Sequence, residues 1–337
     1  MRRLRLGRAP RRPLERRSAG LLAVTAAVTV LALTASGCVT VHGETALVPP
    51  ATEAEAARAL ADFTSAFNRA DKALDPALDA DRVTGPFGEI NQAGLRARAV
   101  LAPDGNTEHK PLELTDARFL LPRKAGWPRW FVADAASNLN TGRRWLLAFV
   151  RNGPGQGWEA AHLAVLAGSE VPAFAEEEGY PVPVAADTGA LAVAPGKLGA
   201  EYVAYLKDGR EGPFAAGRHT TEWRAQRRKT AERPGLATQY ADRTADQGDF
   251  APLALRTRDG GAFVFFAIRY FERQTAARGY RPKVSADVKA LMTGTVKDTV
   301  TREWVSGQAA LVKPKGADRE AVTVVGRLQG VVGAVGS

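Results

Sequence analysis

The sequence predicts an α+β protein built from two tandem units, each with helices first and an antiparallel sheet after them. Three observations lead to this prediction. Two amphipathic helical segments follow residue 51, four short segments rich in aromatic and branched residues come next, and the same order returns loosely within residues 189–337. Helices that cover one face of an antiparallel sheet define the α+β class.

Residues 1–37 have the composition of a secretory signal peptide. An arginine-rich start over residues 1–17 precedes an apolar run over residues 19–35, which ends in Ala35-Ser36-Gly37-Cys38. This ending resembles the bacterial lipobox, in which the cysteine thiol receives a diacylglyceryl group and the chain is cut just before it. We therefore expect an exported chain with a lipid on Cys38. That lipid would hold it in the bilayer, on the outer face of the cytoplasmic membrane.

An uncleaved membrane helix is the alternative for this segment. The apolar run has 17 residues, whereas a membrane span needs about 20, so the length favours the cleaved signal. Arg11-Arg12 and Arg16-Arg17 leave export by the twin-arginine route open beside the general secretory route.

The basic charge of the chain is concentrated in this targeting segment. The whole chain has a formal net charge of +10, and residues 1–37 contribute eight arginines and one glutamate, a net +7. The remaining +3 indicates no nucleic-acid partner. A single cysteine also excludes a disulfide framework, so the fold depends on its apolar core.

Residues 38–51 are predicted to be a tether, and residues 52–167 the first α+β domain. Thr52 and Glu55 form a capping box at the start of a helix. The apolar stripe of that helix consists of Leu60, Phe63, Phe67, Ala70 and Leu74. A second helix is predicted over residues 87–101, and strands over residues 112–121, 129–134, 144–151 and 158–166.

Residues 168–188 are predicted to be a linker, because three consecutive glutamates and two prolines interrupt the pattern there. The second α+β domain covers residues 189–337. Its predicted helices are 198–207 and 221–232, and its predicted strands are 235–240, 252–258, 262–272, 299–312 and 321–332. Asp259-Gly260-Gly261 gives the clearest hairpin signal of the chain. We expect the two halves to fold separately.

The order of elements resembles a pair of cystatin-like cone domains of the nuclear-transport-factor-2 type. The whole chain also resembles a group of actinobacterial secreted lipoproteins of unknown function. Four segments carry that likeness: 37–44 (GCVTVHGE), 91–95 (NQAGL), 124–134 (KAGWPRWFVAD) and 233–240 (RPGLATQY). The resemblance covers nearly all of residues 35–330 and implies location and architecture, but no catalytic residue.

The sequence contains no pattern that predicts a metal site or a cofactor. The four histidines are His42, His109, His162 and His219, and no two of them have the spacing of metal ligands. No Gly-x-Ser-x-Gly motif is present. A faint phosphate-loop pattern ending in Gly196-Lys197 has Leu198 where a magnesium-binding hydroxyl is required. We predict neither a metal nor a cofactor.

One predicted strand supplies a candidate ligand pocket. Alternate residues of a strand share a face, which places Trp158 and His162 together, with Trp130 and Trp145 on neighbouring strands. An aromatic-lined pocket with one titratable group suits a small ligand. The alternative is ordinary core, with His162 hydrogen-bonded at the edge of the sheet.

The predicted helix near residue 221 supplies a second candidate site. Arg224, Arg227 and Arg228 recur at helical spacing, with Lys229 beside them. Such a face is commonly solvated, and on a membrane-tethered protein it could also contact anionic head groups or wall polymers.

These observations favour a membrane-anchored extracellular lipoprotein that binds a small ligand or an envelope protein without catalysing a reaction. One alternative is a small-molecule hydrolase or isomerase that uses a cone-fold pocket. The absence of paired acids near His162 in the sequence disfavours it. The other alternative is a transporter-associated solute-binding lipoprotein. The clustered strands disfavour that class, which uses alternating strands and helices and a hinge.

Overall fold

Each half of the chain builds its own sheet. The computed structural model describes residues 46–209, 212–317 and 319–337. The predicted signal peptide, Cys38 and the first part of the predicted tether lie outside these residues. Helices and largely antiparallel sheets make up the described chain, which confirms the predicted α+β class.

The first half consists of two helices followed by a four-stranded antiparallel sheet. The elements are α1 (Glu53–Ala73), α2 (Gly85–Leu101), β1 (Leu114–Leu120), β2 (Arg129–Ser137), β3 (Arg143–Arg151) and β4 (Glu159–Ala167). The strands lie in the order β1-β2-β3-β4, and each neighbouring pair is antiparallel. This is the predicted order of helices and strands.

Helix α1 begins and ends where its sequence predicts. The Thr52 hydroxyl accepts a hydrogen bond from the backbone N–H of Glu55 at 3.1 Å, which satisfies one donor of the first turn. Leu74 takes a left-handed conformation (φ 55°) at the other end, two residues before Pro76. The predicted stripe faces inward: Leu60, Phe63, Ala70 and Leu74 are buried and Phe67 is half-buried against them.

The second half is built around a larger sheet. The elements are β5 (Glu176–Glu177), β6 (Tyr180–Pro181), α3 (Leu198–Asp208), α4 (Thr221–Ala231), β7 (Glu232–Arg233), β8 (Leu236–Ala245), β9 (Leu253–Arg256), β10 (Ala262–Ala276), α5 (Ala286–Ala290), β11 (Met292–Gly294), β12 (Thr299–Val312) and β13 (Val322–Gly336). Seven of these strands form one sheet in the order β11-β13-β12-β10-β8-β7, with β9 also paired to β10. Among the paired strands of the described residues, the short β11–β13 pair alone is parallel.

The predicted hairpin joins β9 to β10. Ala262 pairs with Arg256 across the turn, and the side chain of Asp259 accepts a hydrogen bond from the N–H of Gly261 at 3.1 Å. Gly260 takes φ +84°, a conformation that favours glycine. The turn residues named in the sequence are therefore the ones that close this hairpin.

Three apolar clusters arrange the chain in four layers. In the first cluster α1 and the start of α2 cover one face of the first sheet, and in the second cluster α3 and α4 cover one face of the second sheet. A third cluster lies between the two sheets, with Val132 and Leu146 from the first sheet and Phe263 and Phe265 from the second. The halves therefore share a core, and the division between residues 167 and 189 stays a prediction.

The segment predicted as a linker is hydrogen-bonded along the edge strand β9. The N–H of Ala175 donates to the carbonyl of Arg256, and the N–H of Val184 donates to the carbonyl of Ala254, both at 2.9 Å. Residues 173–184 thus extend the sheet of the second half. Strands β5 and β6 form a short hairpin within this segment.

A buried carboxylate joins the loop before α2 to the middle of that helix. Asp79 has no exposed surface and accepts hydrogen bonds from Asn91 Nδ2 at 2.7 Å and Gln92 Nε2 at 2.6 Å. Burial raises the pKa of Asp79 to about 6, although both amides oppose the shift. Two residues of the segment 91–95 therefore serve a structural network.

Candidate functional site

The structure does not bring the four residues of the predicted pocket together. Trp145 and Trp158 lie in the cluster beneath the helices of the first half, while Trp130 lies in the cluster between the sheets. The indole of Trp158 donates to Glu55 at 3.1 Å, and that of Trp145 to Asn140 at 2.9 Å. These tryptophans are core residues, as in the alternative interpretation.

A bulge in β4 explains why Trp158 and His162 separate. Ala148 pairs with His162, but the next residue, Phe149, pairs with Ala160. One extra residue, Ala161, therefore interrupts the alternation of the strand. Trp158 consequently faces the helices of the first half, while the His162 ring lies 5.6 Å from the ring of Phe265 on β10.

His162 is enclosed in the core beside Phe265. Its side chain is 2% exposed, and neither ring nitrogen has a hydrogen-bond partner among the described residues. The space beside it, also lined by Phe87 and Phe265, has no room for a water molecule. Burial lowers the pKa of His162 to about 4, so the ring is neutral at pH 7.

The predicted basic face of α4 does not form as one surface. Arg228 and Lys229 are exposed, but Arg224 is half-buried, with its guanidinium carbon 4.9 Å from the centre of the Tyr205 ring. Arg227 is only 5% exposed and faces the sheet. The prediction of four surface cations on α4 is therefore wrong for Arg227. Trp223 and Arg227 are four residues apart, so they share the buried side of the helix.

Arg227 is enclosed by a carboxylate and three aromatic rings. Its Nη1 lies 2.8 Å from Asp242 Oδ2 on β8. Its guanidinium carbon lies 4.6 Å from the ring centres of Tyr240 and Tyr270 and 5.0 Å from that of Trp223. Burial raises the pKa of Asp242, and the charge of Arg227 opposes that shift. The pair is a buried ion pair with cation–π contacts on the guanidinium.

A second guanidinium lies on the same aromatic group. The guanidinium carbon of Arg327, on β13, is 3.9 Å from the centre of the Trp223 ring. Burial lowers the pKa of Arg327, and the charge of Arg227 adds to the effect. No carboxylate of the described residues lies within ion-pair distance of Arg327. The group therefore holds two guanidiniums and one carboxylate, that of Asp242, which pairs with Arg227.

We call this group the arginine–aromatic cluster, and it spans α4 and four adjacent strands. Its members are Trp223, Arg227, Tyr240, Tyr270, Trp304 and Arg327. Tyr270 is 1% exposed, and its ring stacks on that of Trp304 with centroids 5.6 Å apart and an interplanar angle of 7°. Trp223, Tyr240, Trp304 and Arg327 are half-buried, so the cluster reaches the surface.

Four buried donor atoms of the cluster have no hydrogen-bond partner within the described chain. They are Nε and Nη2 of Arg227, Nη1 of Arg327 and Nε1 of Trp304. An unpaired buried donor costs about 1–3 kcal/mol, and buried polar groups are normally satisfied by protein, water or ligand. All four atoms donate, so the cluster is complementary to an oxygen-rich, negatively charged group.

The sequence interpretation missed Arg327 and Trp304, which it placed only in strands. A signal for Arg327 was available, because it is the only charged residue in the 15-residue strand β13. A lone charge in a buried strand requires a partner. No pattern in one strand could reveal that Trp304 and Tyr270 stack, since that contact depends on the pairing of β12 with β10.

A separate cleft away from the cluster holds charges of both signs that pair with one another. It has a volume of about 640 Å³ and lies between α2 and the second sheet. Arg269 bridges Glu89 at 2.8 Å and Glu303 at 2.6 Å across it. These side chains satisfy one another, so we assign the cleft a structural role.

No described helix is both long enough and apolar enough to cross a bilayer. No three histidine, cysteine, aspartate or glutamate side chains in the described ranges gather in a group that could hold a metal ion.

Comparison with known proteins gives a family and two named relatives. The family model described as "Domain of unknown function (DUF8094)" matches residues 47–336. An uncharacterized lipoprotein of Streptomyces coelicolor is 51% identical over 331 residues, which cover 98% of each chain. An uncharacterized lipoprotein of Streptomyces avermitilis is 51% identical over 314 residues, covering 93% of this chain and 94% of the relative. No solved structure matches.

Proposed function

The chain belongs to the family described as Domain of unknown function (DUF8094), and from that premise we propose that it is a lipid-anchored binding module of the cell envelope. The two relatives are uncharacterized lipoproteins, and the match covers nearly the whole length of each. Their names agree with the lipobox-like sequence that ends at Cys38. In this proposal residues 1–37 are removed. A diacylglyceryl group on Cys38 then holds the protein on the outer face of the cytoplasmic membrane.

The anchor is tested by labelling living cells with a tagged fatty acid. The wild-type chain should incorporate the label. Cys38→Ala should not, because the thiol is the only group of the chain that can form the thioether. Equal labelling of both chains would refute the anchor.

We infer that the binding site is the arginine–aromatic cluster and that the ligand carries an anionic oxygen group. The observation that supports this is the set of four unpartnered donors on two arginines and one tryptophan. Two guanidiniums against the one carboxylate of Asp242 leave a positive charge, which an anion would balance. The aromatic rings supply apolar surface for the rest of a small ligand.

Binding without catalysis is favoured by the state of the groups in the cluster. Both carboxylate oxygens of Asp242 accept hydrogen bonds from Arg227, so this group is engaged in an ion pair. His219 lies near Arg327 and would be the base in the alternative, a hydrolase or isomerase. Burial lowers its pKa to about 4, which makes it a weak base at pH 7. We therefore place the enzymatic function second.

We further infer that each half is a cystatin-like cone. In each half, helices come first and then cover one face of an antiparallel sheet. In such a cone the covered face is the one that holds a pocket. The arginine–aromatic cluster lies on the covered face of the second sheet.

The binding proposal is tested by thermal unfolding of the detergent-purified protein with inorganic phosphate, sulfate or acetate. A ligand at about ten times its Kd stabilises by about 1.4 kcal/mol, which raises Tm by roughly 2 °C for a chain of this size. We expect at least one of these anions to raise the Tm of the wild type. The same anion should not raise the Tm of Arg327→Met. Arg228→Met, an exposed cation on the same half, is the control and should respond like the wild type. An equal response of Arg327→Met, or no response to any anion, would contradict the proposal.

A further inference from the structure

The described chain enters the fold beside a solvent-exposed tryptophan. Val48 pairs with Lys124 in an antiparallel bridge, and Lys124 Nζ donates to the carbonyl of Pro128 at 2.8 Å. Trp127, next to Pro128, is 37% exposed, and Leu47 is 66% exposed. The first described residues and this tryptophan therefore lie at the same edge of the fold.

Two guanidiniums lie against that tryptophan. The guanidinium carbons of Arg129 and Arg151 are 4.8 Å and 5.5 Å from the centre of a Trp127 ring. Arg151 also donates to the carbonyl of Pro50 at 3.4 Å, which ties the entering chain to the same place. Glu55 pairs with Arg151 at 2.8 Å, whereas no carboxylate of the described residues pairs with Arg129.

These residues form a surface that we call the anchor-side patch: Leu47, Lys124, Trp127, Pro128, Arg129 and Arg151. It combines exposed apolar groups with cations, the composition of a membrane–water interface. Tryptophan favours the head-group region because its ring is both apolar and polar. Arginine beside it favours the phosphates of lipids.

The length of the chain between Cys38 and the patch limits which side of the protein can face the bilayer. Leu47 is nine residues after Cys38, which spans at most about 32 Å at roughly 3.5 Å per residue. A folded chain of this size is about 50 Å across, from its radius of gyration. A lipid on Cys38 therefore holds Leu47 within about 32 Å of the bilayer, so the side of the fold opposite the patch, about 50 Å away, is out of reach of the surface.

We propose that the anchor-side patch lies against the bilayer that holds the lipid of Cys38. Trp127 enters the head-group region, and Arg129 contacts lipid phosphates. This inference rests on the proposed lipid anchor but not on the proposed ligand site. The patch orients the folded protein on the membrane, with β2 leading away from the surface.

The experiment uses the full-length lipoprotein in vesicles of phosphatidylcholine and phosphatidylglycerol with acyl chains brominated near the head group. Bromine quenches a tryptophan only at short range. The tryptophan fluorescence of the wild type should be lower in brominated than in unbrominated vesicles. The fluorescence of Trp127→Phe should be the same in both. Of the six tryptophans, Trp130, Trp145 and Trp158 are buried and Trp223 and Trp304 are half-buried.

A second variant supplies the matched control. Leu139 is 43% exposed and follows the end of β2, whereas Trp127 precedes its start. The nine residues of β2 separate the two positions by about 30 Å. In Trp127→Phe/Leu139→Trp the new tryptophan is exposed but should not be quenched.

The outcomes separate this inference from the anchor on which it rests. Incorporation of a tagged fatty acid is measured on the same protein. If the chain carries the label but Trp127 is not quenched, the membrane contact of the patch is refuted and the anchor stands. Equal quenching of a tryptophan at position 139 would refute the patch in the same way. No label on the chain overturns the anchor and the patch together.

Discussion

A buried guanidinium is stable where its charge is balanced and its donors are bonded, and Arg227 meets this condition only in part. Asp242 balances the charge, and three rings surround the planar group. Two of its nitrogens have no hydrogen-bond partner in the described chain. The side chain therefore combines a structural contact with unused capacity to donate.

Arg227→Met should destabilise the protein by about 3–5 kcal/mol, because Asp242 would stay buried without a partner. Urea denaturation at pH 7 measures the loss. Arg228→Met is exposed on the same helix and should change stability by at most about 0.5 kcal/mol. Arg227→Met/Asp242→Leu should recover much of the loss, since it removes both charges. Equal urea midpoints for Arg227→Met and the wild type would show that the pair contributes nothing.

His162 makes stability depend on pH. Its pKa is about 4 in the folded protein because of burial, against 6.5 for the free side chain. The unfolded chain therefore binds a proton more readily, and the stabilisation is complete above pH 6.5 and is lost as the pH falls toward 4. Over that range the loss is about 3 kcal/mol, at about 1.4 kcal/mol per pH unit.

His162→Leu should remove this loss. Asp79 acts in the opposite direction, since its pKa is raised to about 6 and stability falls as the pH rises from 3.8 to 6. The informative quantity is therefore the difference between the wild type and His162→Leu, measured by urea denaturation at several pH values. A difference that does not change between pH 4 and 6.5 would mean that His162 titrates normally.

At the scale of elements, local geometry decides which side chains meet. The bulge in β4 places Trp158 in the cluster beneath the helices and the His162 ring beside Phe265 of the second sheet. One residue more or less in a strand reverses every later side chain. The β9–β10 hairpin shows the converse. Its turn residues Asp259, Gly260 and Gly261 were predictable, and they set the pairing of β9 with the first four residues of β10.

Gly261→Ala tests how closely that hairpin packs. A β-carbon at Gly261 would lie 2.5 Å from the carbonyl oxygen of Val312 on the neighbouring strand, closer than real β-carbons approach. We expect a loss of about 1–3 kcal/mol in urea denaturation. Gly168→Ala is the control, because nothing lies within 4 Å of its added carbon and its φ is not positive. Equal losses of stability for the two substitutions would mean that the turn accommodates the added carbon without destabilising the protein.

At the scale of the whole molecule, the cluster between the sheets couples the two halves. Val132 and Leu146 of the first sheet and Phe263 and Phe265 of the second are all at most 2% exposed. A large apolar interface of this kind opposes independent motion of domains. Either half alone would expose that surface to water.

Phe265→Ala should therefore weaken both halves, although the substitution lies in the second. The expected cost is about 3–5 kcal/mol. Hydrogen exchange measured on peptides of β2, β3 and β10 reports the stability of both halves. Exchange should become faster in all three strands. Leu139→Ala, at an exposed site of the first half, should raise exchange in none of them. Faster exchange confined to β10 would favour the sequence prediction of two halves that fold separately.

The sequence by itself determined the order of helices and strands, the cap of α1, the hairpin turn and the kinship with lipoproteins. These depend on residues close together in the chain, through caps, turns and the periods of helix and strand. Only the tertiary structure decided the candidate site. Arg227 and Arg327 are 100 residues apart in the chain, and they meet at Trp223 because β13, β12, β10 and β8 lie side by side under α4. Strand pairing over such distances is not encoded in any local pattern, and neither is the bulge that moved His162 out of the predicted pocket.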